Sequence, residues 1–200
     1  EPIGKVGIAL GADELQLMDE VKQAWSEALG EQAERHRIEW KRSNPPVPWY
    51  DVIQDPRTAE NPNVVLWTAA YLPEFLPWLY PKRSARDNGT ARADFLAPQF
   101  KQGRLLRDVT GLTIALPANL AEQITKQLRA LGYSQLDAKG GVTLQGPEWT
   151  LTLLESDERP RGLLPIDMTS TPRPADFREL SIGPRSRITF HEGRATWSFE

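Results

Sequence analysis

Gly7-Ile8-Ala9-Leu10, followed by a helical run that ends at Ala28-Leu29-Gly30, sets out a plan that the chain uses twice. Gly111-Leu112-Thr113-Ile114-Ala115-Leu116 opens the second instance, whose helical run ends at Ala130-Leu131-Gly132. Each instance continues into short β-like segments, so the unit reads strand, helix, three strands. From Leu10 to Gly30 is 20 positions and from Leu116 to Gly132 is 16; the difference of 4 is about one helical turn, so both helices keep the same facing. Doubling such a unit predicts an α+β fold in which repeated βαβββ units form curved mixed sheets around a cleft, and clefts are where ligands bind.

In the first unit a strand is expected over 5–10, with Asp13 placed to cap the helix and Gln16 to complete a capping box. Leu15, Met18, Val21, Trp25, Ala28 and Leu29 recur at helical spacing, a stripe that belongs in a core, and Gly30 suits the position just past the helix end. Strands follow over 34–41, 47–53 and 63–71, punctuated by Pro45, Pro46, Pro48, Asp55-Pro56 and Asn61-Pro62. Val64-Val65-Leu66-Trp67 is continuously apolar and predicts a strand covered on both faces.

The second unit is read as strand 108–116, helix 118–131 with Leu120, Ile124, Leu128 and Leu131 inward, and strands 133–136, 141–144 and 149–154. A third unit begins with a strand at 162–170, but Thr171-Pro172-Arg173-Pro174 stands where a helix is expected. Strands over 177–182, 186–190 and 195–199 complete it, the last two joined by a tight turn at Glu192-Gly193. The layout is a first unit over 1–80, a connector over 81–107, a second unit over 108–158 and a partial third over 159–200 without its helix. Around the start of the connector, Pro73, Pro77 and Pro81 alternate with Phe75, Trp78 and Tyr80, which predicts irregular chain with a short helix near 90–96. Such units bury their faces in pairs, so an odd number leaves one without a partner.

Composition narrows the classes. Two hundred residues suffice to bury roughly 70% of the unfolded surface. A net charge of −3 and a pI near 5.6 give no basic footprint, and the arginines at 83, 86 and 92 are interleaved with Asp87 and Asp94, so no nucleic-acid partner is expected. With no cysteine, disulfides, thiol nucleophiles and cysteine-held metals are excluded. No apolar run approaches the ~18 residues of a membrane span. The chain opens on Glu1-Pro2 without methionine, so residues upstream are expected to have been removed, trimmed or left out; cytoplasmic and exported (periplasmic or secreted) locations both fit.

The residues Pro48-Trp49-Tyr50-Asp51, Leu66-Trp67 through Tyr71-Leu72-Pro73-Glu74-Phe75-Leu76, Gly103-Arg104-Leu105-Leu106-Arg107-Asp108-Val109-Thr110-Gly111 and Ala195-Thr196-Trp197-Ser198-Phe199 carry a resemblance. Over nearly its whole length the chain resembles uncharacterised bacterial glyoxalase-like proteins of the vicinal oxygen chelate superfamily. The resemblance implies a further strand-rich unit upstream of Glu1, which would supply the missing partner. It also implies a glutamate and a histidine about residues 69–72, where this chain has Ala70 and Leu72.

Metal-dependent members place His, Glu or Gln on the first and last strands of each unit, because a divalent ion needs three or more converging N or O ligands. Here the first strands, 6–10 and 109–116, contain no His, Asp or Glu, and the last strands offer none before Glu155. His36 and His191 fall in different units beside charged residues and read as solvated. No metal and no cofactor are therefore expected. Nor is there a Gly-x-Ser-x-Gly elbow, a phosphate loop or a dinucleotide fingerprint. Glu39 and Asp51 are a carboxylate pair, but beside Arg and Lys such groups form ion pairs more often than they catalyse.

What remains is aromatic and cationic: Trp40, Trp49, Tyr50, Trp67 and Tyr71, with Arg104 and Arg107 ahead of the second unit. Aromatic faces and a guanidinium hold planar or anionic molecules by stacking and bidentate hydrogen bonds. The leading expectation is a glyoxalase-like binding module without a metal site, taking a small molecule or a peptide. One alternative is a metal-dependent lyase or dioxygenase-type enzyme with ligands in an upstream unit. The other is a structural module that forms a homodimer through an unpaired sheet.

Overall fold

Apolar alternation and glycine punctuation produce two separate sheets in the computed structural model, which describes residues 6–12, 15–55, 64–75, 78, 105–156, 162–171 and 178–199. The chain divides into two compact units, one within 5–100 and the other drawn mainly from 101–200.

The first unit holds strand β1 (Val6–Gly11), helix α1 (Leu17–Leu29) and strands β2 (Glu34–Trp40), β3 (Val47–Gln54) and β4 (Val64–Tyr71). Their order across the sheet is β1-β4-β3-β2, with β1 parallel to β4 and the other pairs antiparallel. The order follows from chain direction: α1 carries the chain back across the sheet, so the third strand after it runs with β1. Asp13 lies outside the described residues. The helix starts at Leu17, with Gln16 at the cap position. Met18 and Trp25 are fully buried, and Gly30 ends the helix in the left-handed region (φ 67°).

β4 corrects the expectation of a strand covered on both faces. Val64, Leu66, Thr68 and Ala70 are buried, while Val65, Trp67 and Ala69 are half-buried and Tyr71 is exposed. On its second face the Trp67 indole lies over Gly7 of β1.

The second unit repeats the plan with β5 (Leu106–Leu116), α2 (Ala118–Ala130), β6 (Ser134–Ala138), β7 (Gly141–Gln145) and β8 (Thr150–Glu155). β5 is parallel to β8, and the order is β5-β8-β7-β6. α2 stops in a Schellman motif: the Gly132 N–H donates to Arg129 O and the Tyr133 N–H to Leu128 O. Gly132 takes φ 86°, a conformation strained for any side chain. Ile124 and Leu128 of α2 are fully buried, as are Ile114, Leu116, Leu144, Leu151 and Leu153 of the sheet. Burying each such side chain stabilises the fold by about 1.5–3 kcal/mol.

β9 (Gly162–Ser170), β10 (Glu179–Ser181), β11 (Ser186–His191) and β12 (Arg194–Phe199) extend the same sheet through β5–β9 pairing, giving β10-β11-β12-β9-β5-β8-β7-β6. Spatial order within this third set, β9-β12-β11-β10, matches the other two. The sense does not: β9 and β12 are antiparallel, where β1/β4 and β5/β8 are parallel. A crossover helix is one traverse of the layer. Here the senses of β9, β12, β11 and β10 bring the chain into β10 at the end of the sheet where β9 leaves it, so every later strand runs the other way. The partial third unit is thus a four-stranded antiparallel set in the same spatial order. Glu192 and Gly193 both have positive φ (45° and 80°), as the tight β11–β12 turn requires.

Candidate ligand-binding site

A bulge builds the site. Ile38 pairs with Tyr50 but Glu39 pairs with Pro48, so Trp49 is the extra residue on β3. Its carbonyl accepts from the Leu72 N–H at 2.9 Å, which pins the chain leaving β4 against the bulge. The Phe75 N–H then donates to Leu72 O, and the turn delivers Phe75 into the middle of an aromatic group.

Trp49 meets Trp40 edge-on with ring centroids 5.0 Å apart, and Tyr50 at 4.6 Å. Phe75 lies 5.6 Å from Trp49, 5.6 Å from Trp78 and 6.1 Å from Tyr71, whose ring is parallel to it within 7°. These separations suit aromatic pairing. Phe75 is buried, whereas Tyr71 and Trp78 are 41% and 43% exposed and form an accessible rim. The Arg42 guanidinium sits 5.5 Å from the Trp40 ring centroid, within cation–π range. Inside the group, the Trp49 indole Nε1 is buried and has no hydrogen-bond partner among the described residues. A buried N–H without an acceptor costs about 1–3 kcal/mol.

Of the residues singled out in the sequence, Trp40, Trp49, Tyr50 and Tyr71 therefore come together. Trp67 is apart from them on the same sheet: a Cβ at Gly7 would stand 2.5 Å from Trp67 Cη2, so the indole fills the space that glycine leaves on β1. Arg107 is exposed on β5, in the other compact unit, and Arg104 lies outside the described residues. Arg42, Phe75 and Trp78 complete the group. Phe75 and Trp78 are three positions apart in the proline-flanked stretch, and Arg42 follows Trp40 by two.

Asp51 does different work from its aromatic neighbours. It faces the α1 side of the sheet, with its side chain only 3% exposed, and receives Arg35 Nε (2.9 Å) and Nη2 (2.6 Å) and Arg37 Nε (2.9 Å). The remaining Arg35 nitrogen donates to Asp19 on α1 at 2.8 Å. Burial pushes the Asp51 carboxyl up, but the hydrogen bonds from Arg37 and Arg35 and their charges outweigh it and hold the group below the usual carboxylate range. An acid so committed to two guanidiniums ties β2, β3 and α1 together and is not free to move protons. Glu39 is exposed on β2, in register with Pro48 rather than Asp51. His36 and His191 are exposed, His36 standing 3.3 Å from Glu34.

A second, polar surface escaped the sequence reading. On the face of the eight-stranded sheet opposite α2, one cross-strand row runs Thr150, Gly111, Asp167, Thr196, Thr189, and Thr143, Thr152 and Thr113 stand in the next. Thr196 donates to Asp167 at 2.9 Å, and the Thr143 and Thr152 hydroxyls are 3.0 Å apart. The alternation in Thr150-Leu151-Thr152-Leu153 was the available signal. Among the described residues no three His, Asp or Glu side chains converge as a metal ion would need, and no helix is long and apolar enough to cross a membrane.

No curated protein and no solved structure is significantly similar to the chain. A family model spanning residues 1–199 does match, and with nearly the full length covered the chain belongs to the family of unknown function DUF5829.

Proposed function

We propose that this protein is a glyoxalase-like binding module that works without a metal, and that the aromatic group at the end of β2, β3 and β4 seats a planar, anionic portion of a small molecule or peptide. The twice-used strand–helix–three-strand topology, with first and last strands parallel, supports the glyoxalase-like reading. The observation that carries the binding reading is the buried Trp49 N–H without an acceptor, set among rings whose rim is open to solvent. A ligand acceptor atom would satisfy that donor, Tyr71 and Trp78 would flank the planar portion, and Arg42 would offset its charge.

The test is titration of the full chain with 8-anilinonaphthalene-1-sulfonate, a planar aromatic anion, followed by fluorescence. Trp49→Phe keeps a ring and removes the N–H; it is expected to weaken binding about tenfold, as loss of a hydrogen bond to a charged acceptor does. Arg42→Ala is expected to weaken it less and to abolish its salt dependence. Failure of the probe to bind, or unchanged affinity in Trp49→Phe, overturns the reading.

A further inference from the structure

The two sheets have four outer edges, β1, β2, β10 and β6, and three of them carry the features that keep edges from pairing. β2 presents Glu34, Arg35, His36, Arg37 and Glu39 in a row of charge, and its ladder to β3 is interrupted by the bulge at Trp49. β10 is three residues long. β6 is five residues long and carries Asp137, with Lys139 directly after it. β1 has none of these: Val-Gly-Ile-Ala-Leu-Gly is uncharged, free of proline, and pairs with β4 in unbroken register along all six residues. No strand pairs with its outer side among the described residues.

The second unit shows what such an edge accepts. β5 occupies the place in its unit that β1 occupies in the first, and its outer side is taken by an antiparallel strand, β9, over most of its length. We infer that the β1 edge is a homodimer interface, in which β1 pairs antiparallel with β1 of a second copy about a two-fold axis at Ala9. This joins the two four-stranded sheets into one of eight, as β5 and β9 join theirs.

The sequence of β1 is self-complementary for that pairing, as an isologous contact demands. Centred on Ala9, Gly7 stands opposite the partner's Gly11, Ile8 opposite the partner's Leu10, and Ala9 opposite the partner's Ala9. Ile8 pairs with Leu66 in register and shares its buried face, so Ile8 and Leu10 extend one apolar face across the junction. Gly7, Ala9 and Gly11 are exposed on the other face and leave no bulk at the axis. Backbone polarity agrees. The Ala12 N–H donates inward to Ala69 O, so by alternation Gly7, Ala9 and Gly11 turn their N–H and C=O groups outward. In the proposed register these residues meet one another as hydrogen-bonded pairs. An interface this narrow lies at the small end of specific contacts, which implies a dimer that dissociates in the micromolar range.

Sedimentation equilibrium on the full chain tests this, using wild type, Ala9→Lys, Ala9→Glu and an equimolar mixture of the two variants. Ala9 is exposed, so neither change should disturb the monomer's far-UV circular dichroism. Wild type is expected to double its mass with rising concentration. Each single variant places like charges face to face at the axis and should raise the dissociation constant about tenfold or more. The mixture should regain association, more strongly at low salt. A wild type that stays monomeric throughout the micromolar range overturns the inference, as does a variant that dimerises like wild type or a mixture that does not associate. None of these readouts depends on aromatic-ligand binding.

Discussion

The first and second units share one backbone plan and fasten it differently. In the second, α2 meets the sheet mainly through hydrocarbon, with Ile124 and Leu128 buried on the helix and Leu144, Leu151 and Leu153 on the strands, although Thr125 and Gln127 of α2 are buried as well. In the first, a helix-side place on β3 goes to Asp51, and a charge relay runs from it through Arg35 to Asp19 of α1. The hydrocarbon design is insensitive to pH and tolerant of small shifts. The ionic one fixes position, because carboxylate and guanidinium must meet within a few tenths of an ångström, and it depends on Asp51 staying ionised. The unit with the ionic fastening is also the one that carries the aromatic group, two residues along β3 from Asp51. Rigid placement of Asp51 fixes β2 against β3 and hence the bulge that presents Trp49.

The contrast can be broken from either side. Leu144→Ala should cost about 3 kcal/mol in urea unfolding, equally at pH 7 and pH 4, because it removes packing and leaves a cavity. Asp51→Asn should cost about 2 kcal/mol at pH 7, less than a fully buried pair would, since Arg37 is more than half exposed and Arg35 partly so. Its cost should disappear in acid. The unfolded Asp51 carboxyl takes up a proton more readily than the folded one, so its contribution is complete above about pH 4 and is lost as pH falls through the depressed folded value. A cost for Asp51→Asn that persists unchanged in strong acid would show that shape, not charge, is what matters there.

Smaller changes sharpen the comparison of the open faces. Gly7→Ala should destabilise by about 1 kcal/mol and shift tryptophan emission to the red, because the new methyl drives Trp67 off β1 toward solvent. Thr143→Val on the hydroxyl face should change stability by no more than about 0.5 kcal/mol, the scale of one cross-strand pair. A larger loss there would mean that the hydroxyl row helps to hold the sheet.

Much of the fold was legible because glycine and proline mark ends that side-chain patterns cannot. Gly30 and Gly132 close both helices, Glu192-Gly193 turns the last hairpin, and the third strand set begins and ends close to where the alternation placed it. Strand direction was not legible. Alternation reads the same both ways, so the antiparallel sense of β9 and β12 emerges only once chain crossings are counted. Val64 to Trp67 misled because a half-exposed tryptophan lying over a glycine has the same apolar signature as a covered strand. Tyr50, Tyr71, Trp40 and Trp49 were legible as a group by residue type. Arg42 was not: its approach to Trp40 depends on how the chain leaves β2. The link from Asp51 to Arg35 and Arg37 depends on register across β2 and β3, which residue types alone do not specify.

The reversed sense of the last three strands makes that part of the chain a one-way arrangement. Inserting a helix between β9 and β10 would not rebuild the plan of the other two units, because β10, β11 and β12 would each have to be inverted and rethreaded in the same step. Intermediate sequences with the helix but the present pairings would leave a strand entering the sheet from the wrong end. Natural variation in the region after Ser170 should therefore alter loop length freely, yet never supply a crossover.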